Sequence, residues 1–219
     1  MPDVQDRCIL AEYPLCTFSL MTEGDRAEVA ALVSDAHVRL SPLVQALEVT
    51  RAEVEEVLTR FIMGLDRTTC VVAHEPVANT LVFCTVLMPM SRLEELTFGG
   101  VLSPMDDLDD VVFAGCPGRP EEVLLGDLAS IHSAFQGRGI GKLGAEVHVQ
   151  RARALGFRYA GGVAIHPAND RIWRSVGARE YGSARVCDFE FRLPDGQKTR
   201  PFATLEQRTA LLLVDTHAE

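Results

Sequence analysis

No two of the six cysteines (Cys8, Cys16, Cys70, Cys84, Cys116 and Cys187) stand at the CxxC spacing of a zinc or redox site. Thiols scattered in this way are expected to be reduced packing residues, and no metal centre is expected. Long apolar runs are missing too, since no stretch approaches the ~18 residues a membrane helix needs. Residues 1–15 carry Asp3, Asp6 and Glu12 where a secretory leader would be basic and then apolar. The expectation is a cytoplasmic protein with no membrane partner. Positive charge is scarce: 21 Lys and Arg stand against 31 Asp and Glu, a net −10. That is the wrong sign for a nucleic-acid surface, and no nucleic-acid partner is expected. A cationic substrate would be drawn to it. There is no internal repeat or low-complexity tract, and 219 residues suffice for a full core, so a single domain over 1–219 is expected.

What is present alternates between strand-like and helix-like segments. Leu15 to Met21 predicts a first strand, and Thr22, Glu23 and Asp25 open a helix to about Leu40 with Val29, Leu32, Val33 and Ala36 on one face. Thr50 and Glu53 stand at capping-box spacing before a second helix that ends at Gly64. Thr68 to Ala73 and Thr80 to Met88 predict two strands joined by a turn. Residues 89–120, rich in Pro, Gly and acid, predict a long loop insertion, functional or mobile. Glu121 to Ile131 predicts the next strand, Gly141 to Leu155 a helix, Phe157 to Ile165 a strand and Pro167 to Val176 a short helix. The alternation in Ala184 to Arg192 predicts a last strand. The segment from Pro194 onward cannot be ordered from its pattern.

The densest signal is Gln136-Gly137-Arg138-Gly139-Ile140-Gly141, between a strand and a long helix. Glycines allow positive φ and close approach, and a helix start offers unpaired N–H groups and positive dipole to an anion. Two nucleotide-binding motifs share its letters. A dinucleotide fold would place GxGxxG after the first strand and answer it with an acid about 20 residues later. Here several strands precede it, and Arg158 to Ile165 holds no acid. A P-loop needs one more residue between its glycines and a hydroxyl where Leu143 stands.

The segment Leu128 to Gly141, together with the order of strands and helices, resembles the GCN5-related N-acetyltransferases (GNAT) from about Leu15 to Phe191. His166 to Trp173 is similar to the arylalkylamine branch of that family. The resemblance implies an α/β GNAT fold, a mixed central sheet of about six to seven strands flanked by about four helices. It implies acetyl-CoA as acyl donor and a small-molecule amine as acceptor. The amides from Gln136 to Gly141 would hold the pyrophosphate, Ile131, His132 and Ser133 would pair with the pantetheine arm, and Asn169 would touch the cofactor. Arg138 and Lys142 add positive charge at the helix start, where an anion is already favoured. Plain surface cations are the competing reading, more so for Lys142.

Acetyl transfer needs a neutral amine, a donor for the oxyanion and a proton for the thiolate. A backbone N–H near Ile131 suits the oxyanion. Asp127, a charge inside the apolar run Leu124 to Leu128, is the first candidate base, with Glu122 and Glu23 behind it. An Asp at a strand bulge bonded to backbone is the rival reading. His132 reads as mainly structural, and His166 is a candidate for the thiol end, four residues from Asp170. Many relatives carry a tyrosine where this chain has Trp173, whose indole is no proton reservoir. Trp173 is therefore a cofactor-lining or core aromatic, and the usual acid is missing. Protein amine acetylation and a silent coenzyme A sensor are the alternatives, and an exposed final strand would permit a homodimer.

Overall fold

The computed structural model describes residues 7–92 and 97–218. Its strands are β1 (Ile9–Glu12), β2 (Thr17–Leu20), β3 (Cys70–His74), β4 (Leu81–Pro89), β5 (Val123–Ile131), β6 (Tyr159–Ala164), β7 (Arg179–Arg185), β8 (Phe191–Arg192), β9 (Lys198–Thr199) and β10 (Arg208–Asp215). Eight of them form one sheet in the order β1-β2-β3-β4-β5-β6-β10-β7, and β8 and β9 make a separate ribbon. Every neighbouring pair is antiparallel except β5 and β6.

Six helices cover the sheet: α1 (Arg26–Leu40), α2 (Pro42–Ala46), α3 (Arg51–Gly64), α4 (Ser103–Phe113), α5 (Ile140–Ala154) and α6 (Pro167–Ser175). Side chains of β3 alternate between two cores, as a period of two requires. Cys70 and Val72 pack with α1 and α3 residues such as Val33 and Leu58, while Val71 and Ala73 pack with Ile140 and Val147 of α5. The sheet thus divides α1, α2 and α3 from α5. α6 shares the α5 side, where Trp173 packs with Ala145 and Leu212.

Local chemistry explains the helix starts. The Thr50 hydroxyl accepts from the Glu53 amide at 3.3 Å, and the Glu53 carboxylate accepts from the Thr50 amide at 2.8 Å, closing the capping box of α3. At the other end of the chain order, Arg7 is pinned by a buried ion pair to Asp25, 2.8 Å long, with side chains 6% and 2% exposed. Asp25 also accepts from the Thr22 amide and hydroxyl, and His74 joins the cluster through both ring nitrogens. Burial alone would raise the Asp25 carboxyl, but hydrogen bonds from His74, Thr22 and Arg7 hold it well below the usual carboxylate range.

Four expectations change. The 89–120 stretch is not a plain loop, because α4 occupies Ser103–Phe113 with Leu102, Met105, Leu108 and Val112 buried. Its composition looks like a loop, but Pro104 sits in the first turn, where proline has no N–H to lose. The strand expected at Ala184–Arg192 is instead β7, ending at Arg185 and followed by a short 3₁₀ turn at Val186–Asp188. The segment after Pro194 supplies β10, which inserts between β6 and β7. The main sheet therefore has eight strands rather than six or seven, and β7, in the region where the last strand was expected, stands at its edge while β10 is paired on both sides.

Candidate functional site

β5 and β6 are parallel partners only at Val123–Leu125, opposite Tyr159–Gly161. Beyond that point they part. At the vertex a Cβ on Gly162 would stand 2.5 Å from the Gly126 carbonyl oxygen, so only glycine lets the strands meet there. The splay leaves one edge of β5 from Gly126 and one edge of β6 from Gly162 without a strand partner. The His132 amide donates to Val82 of β4 at 2.9 Å. Antiparallel pairing alternates, so the preceding Ile131 amide turns away from β4 toward the gap.

A cavity of about 650 Å³ runs through this gap. One end lies under α1 and α2, lined by His37, Leu40 and Leu43; the other lies against α5 and α6, lined by Gly139, Lys142 and Asn169. Asp127, Ile131, Gln136, Gly137, Ile140, Gly141, His166 and Trp173 line it as well. Of the residues singled out by the sequence, Glu23, Glu122, His132, Ser133, Arg138 and Asp170 are absent from this lining, and Glu23 is paired with Arg26 at 2.7 Å.

The α5 end is an anion cradle in geometry. Gly137 and Gly139 have φ of +75° and +85°, and Gly139 is the residue before α5. The amides of Gly137, Arg138, Gly139, Ile140 and Gly141 have no acceptor among the described residues. Five free N–H groups at the positive end of a helix dipole suit a pyrophosphate. The Gln136 amide is not among them, since it leans on Ser133 at 3.4 Å while its side chain reaches the Ile131 carbonyl. Gly141 serves packing: a Cβ there would stand 2.7 Å from Ile172 Cδ1 and 3.1 Å from Ile131 Cδ1. Arg138 stacks over the Phe135 ring at 5.0 Å, and Lys142 pairs with Glu146 at 3.7 Å. His132 caps the 3₁₀ turn Ser133–Phe135 by accepting from the Ala134 amide.

At the α1 end a β-bulge sets the chemistry. Between the pairs Val86↔Asp127 and Cys84↔Ser130, β5 spends one residue more than β4. The extra turn puts Leu128 at φ +52°, and the Asp127 carboxylate accepts the Leu128 amide at 2.7 Å. Thr85 donates to the Asp127 carbonyl oxygen at 3.0 Å. Asp127 is thus both the bulge residue and a cavity residue. Burial raises its carboxyl, against the Leu128 amide and the charge of His37, which lower it.

His37 faces the same cavity and is the residue the sequence reading missed. Its Nδ1 lies 2.9 Å from the Val33 carbonyl oxygen, an acceptor, so Nδ1 carries the proton and Nε2 keeps its lone pair. Burial lowers its pKa, opposed by the Val33 bond and the Asp127 charge. Its Nε2 and one Asp127 oxygen have no partner among the described residues. A signal existed, because His37 follows Val29 and Val33 at helical spacing on the buried face of α1.

The remaining candidates are placed as follows. Glu122 sits at the far start of β5 and accepts from the Arg119 amide at 2.9 Å. His166 is the N-cap of α6, accepting from the Ala168 amide, and Asp170 is paired to Arg174 rather than to His166. Asn169 donates to the Val163 carbonyl of the splayed β6 at 3.3 Å. Trp173, 6% exposed, packs edge-on against His148 at 5.2 Å. His148 bonds Leu124 through Nε2, and burial holds its pKa down at about 4.

No family model matches the chain, and no curated protein matches it. Solved structures do. The C-terminal condensation domain of Ebony in complex with β-alanyl-dopamine superposes with a TM-score of 0.76 at 15% identity, covering 91% of this chain and 98% of its own. A mosquito arylalkylamine N-acetyltransferase-like protein, 5b, gives 0.69 at 13%, covering 91% and 99%. The polyamine N-acetyltransferase of Drosophila melanogaster gives 0.68 at 16%, covering 91% and 99%. The fold is that of the GNAT acetyltransferases.

Proposed function

We propose that this protein is an acetyl-CoA-dependent N-acetyltransferase that passes an acetyl group directly to the primary amine of a small molecule. The observation that carries this is the single cavity through the β5–β6 splay, which joins the anion cradle to the His37–Asp127 pair. The solved structures support it, since proteins of this fold bear the names of amine acetyltransferases.

In this reading the amides of Gly137 to Gly141 hold the pyrophosphate, with Lys142 beside them. The open edges of β5 and β6 accept the pantetheine arm, and Asn169 fixes the β6 side. The bound donor supplies the thioester carbonyl carbon. The Ile131 amide is the oxyanion donor. An amine arrives as ammonium and loses one proton to the His37–Asp127 pair, with Nε2 as the acceptor and the Asp127 charge steadying the imidazolium. The nitrogen lone pair bonds to the carbonyl carbon, the C–S bond breaks, and the second proton shed by nitrogen neutralises the thiolate. Trp173 takes no part in that transfer. Walls from α1, α2 and α4 favour a small acceptor over a polypeptide.

The test is thiol release from acetyl-CoA against a panel of amines. Release with at least one small amine, abolished in Gly139→Trp, is the expected result. The buried Trp173 in place of an acid gives a second reading some support, a coenzyme A-binding sensor. Tight acetyl-CoA binding with no thiol released by any amine would favour it.

A further inference from the structure

We propose that the closed end of the β5–β6 splay is a sulfur site, in which the Trp173 indole N–H donates to the departing sulfur and His148 Nδ1 accepts the S–H of the coenzyme A formed; this rests on the transferase reading above. Both rings line the main cavity, with Trp173 6% and His148 2% exposed. Neither the indole N–H nor Nδ1 has a partner among the described residues. The sealed side-chain atoms left unpaired among those residues belong to Ser19, Ser34, Gln207 and Thr209, so the two ring nitrogens open onto the cavity instead.

Two glycines let the rings in. A Cβ on Gly126 would stand 2.8 Å from His148 Nδ1, and one on Gly162 would stand 3.6 Å from Trp173 Nε1. The rings therefore lie over the vertex where β5 and β6 begin to part, on the α5 and α6 face of the sheet. His148 is fixed from behind, because the Leu124 carbonyl can only accept and so Nε2 carries the proton. That tautomer gives Nδ1 a lone pair, and burial, which holds the ring's pKa down at about 4, keeps it neutral. The vertex thus offers one donor and one acceptor.

The group that fits them follows from the path through the cavity. With the pyrophosphate on the cradle, the donor's arm follows open strand edges that end at the vertex, so its last atom, sulfur, is what reaches the rings. A thiol both donates and accepts, whereas a thiolate only accepts. When the C–S bond breaks its electron pair stays on sulfur, and the indole N–H meets that charge in a site walled by protein. The proton still comes from the amine nitrogen. Trp173 gives up none, and the finished S–H turns to Nδ1.

Trp173 is the one tryptophan of the chain, so its emission reports this site alone. The probes are coenzyme A and desulfo-coenzyme A, in which hydrogen replaces the thiol, bound to the full chain and to Trp173→Phe, which removes the N–H and keeps an aromatic ring. Coenzyme A should quench the parent's emission more than desulfo-coenzyme A does, and more at pH 9 than at pH 7, since a free thiol ionises at about 8.5. That measurement needs no variant, so it decides the matter even if Trp173→Phe fails to fold. By calorimetry at pH 9, the preference for coenzyme A over desulfo-coenzyme A should fall about tenfold in Trp173→Phe, the loss of one hydrogen bond to a charged group. A ring that only packs would weaken both coenzymes alike. Because the bond strengthens as sulfur gains charge, kcat should fall about tenfold with little change in the KM for acetyl-CoA. Equal quenching by the two coenzymes in the parent overturns the proposal, as does a preference that survives in Trp173→Phe. Thiol release separates the two readings. Turnover of an amine without any preference for the thiol would sink the sulfur site and leave the transferase standing. A preference that depends on Trp173, with no amine turned over, would do the reverse.

Discussion

His37 and Asp127 are a base and an acid on one cavity wall whose pKa values move toward each other for the same reason, the loss of water. They titrate as a pair, so a pH profile reports the couple and not one residue. In the proposed reaction the working form has a neutral imidazole. Because burial lowers His37, the rising limb of kcat is expected below the ordinary histidine value of about 6.5. His37→Gln should lower kcat by about 10²-fold or more and flatten that limb, which a stopped assay from pH 5 to 9 would read. A variant with full kcat and an unchanged limb would remove His37 from the reaction. Asp25 acts on stability instead. Its carboxyl is held below the unfolded value of about 3.9, so its contribution is full above that pH and is lost as pH falls toward the folded value. Asp25→Asn leaves Arg7 buried without its counter-charge and should cost about 3–5 kcal/mol in urea unfolding at pH 7. Asp127 was legible as a charge in an apolar run. His37 was not picked out, since a histidine at helical spacing after Val29 and Val33 is usually just packed, and its tautomer and its place in the cavity are what set it apart.

At the level of elements, the glycine turn separates into residues with different jobs. Gly137 faces open space but has φ +75°, so Gly137→Ala should cost about 1–2 kcal/mol of strain and weaken acetyl-CoA binding, measurable by calorimetry. Gly144, one turn into α5, would place a Cβ 2.5 Å from the Phe83 ring. Gly144→Ala should therefore lower stability by about 1–3 kcal/mol, the usual range for overpacking, seen in a melting curve. The sequence announced α3 through its capping box and α5 through its glycines, because caps and turns are local chemistry. α4 was hidden by Pro, Gly and Asp, although Met105, Leu108 and Val112 carry helical spacing. β7 was hidden because its strand, half exposed and with Gly182 within it, lacks an apolar alternation. The β5–β6 splay depends on which strands meet far along the chain, and no local pattern encodes that.

Across the whole molecule, β10 holds the sheet together. Leu211, Leu212 and Leu213 are fully buried, and the strand pairs with β6 on one side and β7 on the other. Burial of three such side chains is worth roughly 1.5–3 kcal/mol each, comparable with the stability of a domain. Removing residues 206–219 should leave a chain with no cooperative melting transition by circular dichroism; a sharp transition near that of the full chain would show that β10 is dispensable. Its position between two earlier strands is why the tail could not be ordered from sequence. No described helix is long and apolar enough to cross a membrane. The sheet itself acts as a partition, with the cradle on the α5 and α6 side and the His37–Asp127 pair on the α1 and α2 side. In the proposed transfer, donor and acceptor would leave by separate doors. Free coenzyme A should inhibit competitively against acetyl-CoA alone, and the acetylated amine against the amine alone, the kinetic signature of two entrances meeting at one gap.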